Sequence, residues 1–279
     1  MTDKYAVIGN PISHSKSPQI HQMFAVQTGQ DINYEKIEAP LDGFEATIER
    51  LRNEGYKGCS VTVPFKLWAS GLTSHSSTSV QDANAANTLT FNGETIKADN
   101  TDGIGLIRDI EQNLGVTLQG KRVLLMGAGG AARGVQMPLV LAKVRRLVIA
   151  NRTFEKAKEM EEEVLMYGYK HYGQLFDVEI VARNYSDLLD EQFDVVINAT
   201  SSGLSDEMPP LPPTIFAPNT LAYDMMYGRE TPFMAFARQH GAQVADGLGM
   251  LVEQAAEAFY LWRGVRPDTA PVIAALRNS

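Results

Sequence analysis

The sequence holds one cysteine, Cys59, among 279 residues. No internal disulfide framework is therefore available, and the chain suits a reducing cytoplasm. Cys59 stands in a strand-like run, where a small buried apolar side chain is the plain expectation. Long apolar runs are missing too, since none approaches the ~18–20 residues that a bilayer-spanning helix needs. The opening Met1-Thr-Asp-Lys-Tyr5 runs straight into a strand-like segment and lacks the regions of a signal peptide. Basic residues are outnumbered, 25 Lys and Arg against 33 Asp and Glu, for a formal charge of −8. That balance argues against nucleic acid and anionic membranes as partners, because both demand basic patches. An anionic ligand would need local cations and oriented donors, which draws attention to Arg152, Lys156 and Lys66. Internal repeats and long linkers are absent, while the length suffices for two domains with buried cores.

What is present is organised around Arg122–Met126, an apolar β-prone run, and the Gly127-Ala-Gly-Gly-Ala-Ala-Arg-Gly134 that follows. Val135, Leu139 and Val140 then recur at helical spacing. Read as G-x-G-x-x-A, Gly127 makes the tight turn, Gly129 lets backbone approach a pyrophosphate, and Ala132 lets helix and strand sit close. The helix N-terminus presents free N–H groups and a positive dipole end to phosphates. Any tight strand-to-helix turn also favours glycine, so the motif needs support. It comes from a second run, Leu147–Ala150, ending in Asn151-Arg152-Thr153. An NAD site would place a carboxylate there for the ribose 2′-OH. Arg152, with Lys156 one helical turn on, instead suits the 2′-phosphate of NADP.

Along the chain, Tyr5–Ile8 reads as a strand closed by Gly9-Asn-Pro11. Ser17 reads as an N-cap with Pro18 at the first helical position, and Gly29 ends that helix. Ser15 and Ser17 are either loop plus cap or, as hydroxyls at i and i+2 beside a helix N-terminus, a small carboxylate site. Tyr34–Glu38 alternates as a strand, and Phe44, Ile48 and Leu51 mark a helix face stopped by Gly55. Gly58–Val63 is a strand ending in Pro64-Phe65-Lys66. A lysine there is either solvated or, at a strand end, placed for chemistry. Thr73–Ser79 reads as a loop or poor helix carrying a surface His75. Asn87–Phe91 and Glu94–Ala98 flank Asn92-Gly93, a two-residue hairpin signal. Asp102 reads most simply as the cap of a helix with face Ile104, Ile107, Ile110 and Leu114. Pro138 should kink or interrupt the helix after the glycine turn. Thr153–Tyr167 is a charged helix whose Glu161–Glu163 run is a solvated face, and no metal site is predicted. Phe193–Ile197 is a buried strand ending in Asn198–Gly203, and a proline-rich loop runs from Pro209 to Pro213. Leu221–Asp224 and Ala242–Ala245 read as the last strands of a parallel sheet, with a Pro232–His240 helix between them. Met250–Arg263 and Asp268–Leu276 are helices.

Taken together, these stretches resemble the shikimate dehydrogenase family over almost the whole chain. Gly9–Pro18, Val61–Lys66, Asn100–Gly103, Asn198–Thr200 and Gly247–Ala255 are signatures standing in the family's order around a dinucleotide motif. The resemblance implies an α/β fold with an N-terminal α/β substrate domain, residues 1–101 completed by 246–279. A Rossmann-type NADP-binding domain spans residues 102–245, and C-terminal helices return to the first domain. It implies that Ser15 and Ser17 bind a substrate carboxylate. Lys66, Asn87, Asp102 and Gln254 would surround ring hydroxyls, with Thr62 and Tyr227 completing the pocket. Lys66 and Asp102 would be the catalytic pair. Cofactor contacts would come from Gly127, Ala128, Gly129, Gly130, Ala131, Asn151, Arg152, Thr153, Lys156, Met225 and Gly247. Two departures stand out: Asn84-Ala85 replaces the usual Gly-Ala, and Lys156 stands where relatives often carry Arg. The implied activity is NADP-dependent reduction of 3-dehydroshikimate to shikimate, with its reverse, in a cytoplasmic monomer or homodimer. A quinate-oxidising relative and a non-catalytic NADP-sensing module are the rivals. A mere sensor would have no need of Lys66, Asp102 and Gln254 together.

Overall fold

β-Branched and apolar runs broken by glycine and proline set the order of elements. The computed structural model describes residues 2–73, 75–172, 177–200 and 207–278, with the side chains of residues 171 and 172 left out. Two compact units emerge, Met1–Gly105 with Leu251–Ser279, and Leu106–Met250. Both junctions fall inside helices that run on past the loop residues marked by the sequence, four to five positions beyond 101 and 245.

The first unit contains β1 (Asp3–Gly9), α1 (Ser17–Thr28), β2 (Ile32–Glu38), α2 (Phe44–Asn53) and β3 (Gly58–Val61). There follow α3 (Lys66–Gly71), β4 (His75–Ser76), α4 (Thr78–Ala83), β5 (Thr88–Asn92), β6 (Thr95–Asp99) and the start of α5 (Asp102–Arg108). Its six-stranded sheet has the order β2-β1-β3-β5-β6-β4. The strands are parallel from β2 to β3, and antiparallel at β3–β5 and β5–β6. Phe44, Ile48 and Leu51 of α2 bury against Ile8, Phe65 and Leu89, and the Phe44 and Phe65 rings stack at 4.7 Å.

The second unit holds a π-helical turn, Asp109–Asn113, then β7 (Arg122–Met126), α6 (Gly130–Leu141), β8 (Arg146–Ala150) and α7 (Phe154–Tyr172). β9 (Glu179–Arg183), β10 (Phe193–Asn198), β11 (Phe216–Asp224), α8 (Pro232–Gln239) and β12 (Gln243–Asp246) complete it. All neighbours in this sheet are parallel, in the order β12-β11-β10-β7-β8-β9. Numbered within the unit, that is the doubly wound 3-2-1-4-5-6 order, whose strand order reverses beside β7. Val123, Leu124, Leu125 and Met126 are all fully buried, as a strand covered on both faces requires.

The last helices, α9 (Leu248–Arg263) and α10 (Ala270–Arg277), return the chain to its beginning. Trp262 stacks on Tyr5 at 4.7 Å and donates to the Leu89 carbonyl at 3.2 Å. Phe259 packs edge-on against Phe24, and Arg263 pairs with Asp3.

Several expectations are corrected. Ser17 is the first helical residue of α1 rather than its cap; Lys16 precedes it, and Ser15 Oγ receives the Ser17 N–H at 3.3 Å. The hairpin loop is Gly93-Glu94, because Asn92 still pairs with Thr95; Gly93 takes φ 58°. Within Thr73–Ser79, His75 and Ser76 pair with β6, and α4 starts at Thr78. Leu106 and Ile110 are buried on α5 and the π turn, whereas Ile104 and Leu114 are exposed: the buried face runs through Leu106, four residues before Ile110, rather than through Ile104. α6 runs unbroken through Pro138 to Leu141. Glu161 and Glu163 are partly buried: Glu161 accepts the Ala182 N–H at 3.0 Å, and Glu163 pairs with Arg133. β11 begins at Phe216, five residues before the predicted start, and β9 is a strand beyond those predicted. Ser201, Ser202 and Gly203 of the predicted turn lie outside the described residues. No helix among the described residues is long and apolar enough to cross a membrane.

Candidate active site

In the first unit a cluster of polar side chains forms where β3 and β6 hand the chain to helices and α4 hands it to β5. Val63-Pro64 turns the chain out of β3, so that Lys66 opens α3 with its side chain drawn inward, only 15% exposed. Its Nζ lies 2.5 Å from Asp102 Oδ2, and the Asp102 side chain is 6% exposed. The other Asp102 oxygen accepts from Asn87 Nδ2 at 2.8 Å. Both carboxylate oxygens are thus engaged across the unit, and Asp102 does not serve as a helix cap. Asn100 takes that duty, its Oδ1 accepting the Asp102 N–H at 3.1 Å.

Asn87 is the hub of the group. Its Nδ2 also reaches Thr101 Oγ1 at 3.0 Å and Gln254 Oε1 at 3.4 Å, while its Oδ1 accepts from Thr101 N at 2.9 Å. Gln254 arrives on α9 and anchors its own amide on the Leu251 carbonyl at 2.7 Å. Lys66, Asn87, Asp102 and Gln254 therefore form one connected network. Thr101 has no sequence signal of its own beyond its place in Asn100–Gly103, yet it bonds both Asn87 and Gln254. Asn84, the departure from Gly-Ala, adopts φ 46° and ψ 33°. That left-handed geometry belongs to glycine first and asparagine next, so the exchange keeps the turn.

Ser15 and Ser17 lie side by side, Ser15 Oγ donating to Ser17 Oγ at 3.2 Å. Thr62 follows β3, its N–H bonded to the Ile8 carbonyl at 2.9 Å. On the buried face of α1, His21 is wholly buried and stacks on Tyr34 at 4.1 Å, and neither ring nitrogen has a hydrogen-bond partner among the described residues. Burial lowers its pKa to about 3. Cys59 is buried, and its thiol pKa is raised for the same reason.

The second unit carries the glycine turn. Gly127 has φ 108°, and a Cβ there would lie 2.9 Å from the Ala199 carbonyl oxygen, so only glycine fits. A Cβ on Gly129 would meet nothing within 4 Å, which leaves open space above the start of α6. Ala128, Gly130 and Ala131 complete this turn and the first helical residues, while Ala132 and Val135 are buried beneath them. At the end of β8, Asn151 Nδ2 bonds the Thr153 carbonyl at 2.9 Å. Arg152 and Lys156 are exposed, and neither makes an ion pair among the described residues. Burial pushes Tyr185 up to about 12, against the pull of Arg152 nearby. An open glycine turn with free cations at the next strand end fits a 2′-phosphorylated dinucleotide. Met225 and Gly247 lie against each other at the ends of β11 and β12, and Tyr227 follows two residues after Met225. No cluster of metal-ligating side chains occurs among the described residues.

Comparisons with known proteins decide the family. The shikimate dehydrogenase substrate binding domain model matches residues 7–89. The shikimate/quinate 5-dehydrogenase model matches 109–205, and the shikimate 5′-dehydrogenase C-terminal domain model matches 247–277. The shikimate dehydrogenase (NADP+) of Methylobacillus flagellatus is 59% identical over 276 residues, 99% of both chains. The chain belongs to the shikimate dehydrogenase (NADP+) family. Among solved structures, an Ael1 enzyme from Pseudomonas putida shares 48% identity, with a TM-score of 0.88 over 99% of this chain and 98% of that one. The shikimate 5-dehydrogenase of Thermus thermophilus, solved with NADP(H) and shikimate, is 29% identical, with a TM-score of 0.86 over 99% of both. Family members thus share both α/β units and the C-terminal helices with this chain.

Proposed function

We propose that the chain interconverts shikimate and 3-dehydroshikimate with NADP, a step towards chorismate and the aromatic amino acids. The observation that carries this reading is the Lys66–Asp102 pair, shielded from water and tied through Asn87 to Gln254. Ser15 and Ser17 receive the substrate carboxylate. Asn87, Thr62, Gln254 and Tyr227 meet its hydroxyls, since an unmatched polar group in a closed site is costly. Gly127 to Ala131, Asn151 to Thr153, Lys156, Met225 and Gly247 hold the cofactor. The first unit acts as the substrate domain and the second as the NADP domain.

NADP, held by the glycine turn and Arg152, would supply hydride chemistry at the ring carbon. The work of Lys66 is at the oxygen on that carbon. In reduction its ammonium gives a proton to the oxygen as negative charge gathers there, and in oxidation the proton returns. Asp102 holds Nζ in line through the 2.5 Å contact, and Asn87 fixes Asp102 from its other side. The enzyme works in the cytoplasm as a monomer or homodimer, which sedimentation distinguishes. Spectrophotometric NADPH formation with shikimate, and separately with quinate, tests the reading. Robust turnover with shikimate supports it; preference for quinate moves the chain to the quinate-oxidising branch, and no turnover with either leaves a sensor.

A further inference from the structure

At the carboxyl end of the parallel sheet, the end of β10 and the segment between β11 and α8 meet on one buried carboxylate. Asp224, the last residue of β11, is fully buried. It accepts from Thr231 Oγ1 at 2.5 Å, Met226 N at 2.9 Å and Asn198 Nδ2 at 3.1 Å. Burial raises its pKa, and these three bonds oppose the rise. A carboxylate taken out of water is tolerated only where donors surround it. Here the donor set dictates the residue: Oδ2 takes Asn198 and Thr231 while Oδ1 takes the Met226 N–H, so an amide at 224, whichever way it turns, sets its NH2 against either the NH2 of Asn198 or the Met226 N–H. Asn198 cannot turn round to help, because its Oδ1 already accepts from Thr200 N at 3.1 Å and Thr200 Oγ1 at 2.7 Å.

The same network stitches together the backbone of the glycine turn's neighbours. Met225 N bonds the Asn198 carbonyl at 3.0 Å, and Gly247 N bonds the Met226 carbonyl at 2.9 Å. Gly247 packs so tightly that a Cβ there would lie 2.3 Å from the Met225 carbonyl oxygen. Ala199, one residue past Asn198, is the residue against which Gly127 closes. In a doubly wound sheet the pyrophosphate sits at the β7 turn. β8, with Arg152, lies on one side of β7, and β10 and β11 lie on the other. With the adenosine half at Arg152, the nicotinamide half runs across the ends of β10 and β11.

We propose that Asp224, acting through Asn198, is a positioning residue for the floor under the nicotinamide half of NADP. It touches no ligand. The proposal rests on the functional reading above, and the test separates the two. Wild-type turnover with NADP and shikimate judges that reading. Calorimetric affinities for NADP and for 2′,5′-ADP, which carries only the adenosine half, judge Asp224. Asp224→Asn should weaken NADP by about tenfold or more and 2′,5′-ADP by less than about twofold, as expected when one buried bond is turned to repulsion at one end of the ligand. Exchanging the pair, Asn198→Asp with Asp224→Asn, restores a matched donor and acceptor. NADP affinity should then return to within about threefold of wild type. Should Asp224→Asn fail to fold, Asn198→Asp alone sets two carboxylates face to face and reads the same ratio. Equal losses for both ligands, unchanged NADP affinity, or an exchanged pair no better than the worse single variant would each overturn the assignment.

Discussion

Individual residues carry the sharpest consequences. Removing the Lys66 ammonium should cost about 10²–10⁴ in kcat, the usual scale of acid–base help, with a much smaller change in the shikimate KM. Because Lys66 and Asp102 act as one unit, the double alanine variant should be scarcely slower than the worse single variant; additive losses in that cycle would refute the pairing. Arg152→Ala should raise the KM for NADP by about 10- to 100-fold while leaving that for NAD nearly unchanged, since only NADP carries the 2′-phosphate that Arg152 is proposed to meet. Steady-state kinetics with both cofactors checks this, and equal losses would give Arg152 another role. His21 sets a pH dependence. Above about pH 6.5 both folded and unfolded states hold it neutral. Below that, only the unfolded state takes up the proton, because burial lowers the folded pKa to about 3. Stability should therefore fall by about 1.4 kcal/mol for each unit of acidification between those values, on account of this residue alone. Urea titrations across that range should show a shallower slope for His21→Phe. Parallel curves for the two proteins would remove His21 from the acid response.

At the scale of elements, α9 carries a glycine, Gly249, in its first turn for a reason that helix propensity hides. A Cβ on Gly249 would lie 1.8 Å from Asp109 Oδ1, within the π-helical turn. Asp109 is held there by the Tyr223 hydroxyl at 2.6 Å and by Asn113 Nδ2 at 2.9 Å. Propensity alone makes Gly249→Ala a gain of about 0.5–1 kcal/mol. The contact predicts instead a loss of about 2–4 kcal/mol in chemical denaturation, partly relieved when Asp109→Ala is added. A stabilised single variant would show that the helix start yields freely. The same contrast explains what can be read from the chain. β7, β8 and β10 declare themselves because strands covered on both faces are continuously apolar, and the α1 terminus because Gly29 takes the left-handed conformation, φ 66°. β9 stays hidden because its alternating Glu179–Arg183 follows a long charged helix and offers a short signal. Glu161 and Glu163 read as solvated because their partners, Ala182 and Arg133, are distant in sequence. Lys66, Asn87, Asp102 and Gln254 are legible through motifs. The burial of Asp109, His21 and Asp224 is a tertiary fact that no local pattern announces.

The whole molecule is discontinuous: its first unit is closed by the last residues of the chain, while its second is a single stretch. Cutting the chain after Met250 removes Gln254, the Trp262 stack on Tyr5 and the Arg263–Asp3 pair. The strands and glycine turn of the second unit all remain. Such a chain should retain 2′,5′-ADP affinity within about fivefold and lose shikimate binding, as expected when one cooperative unit is broken and the other spared. Simultaneous loss of both ligands in calorimetry would show that the units do not fold separately. This layout also bears on how the protein is made. During translation the helices that complete the first unit emerge only after the second unit, so nascent β1–β6 wait without the Phe259 and Trp262 packing while the second unit already has its strands. A premature stop codon before residue 254 therefore leaves the second unit's strands in place but removes Gln254 from the polar network of the first.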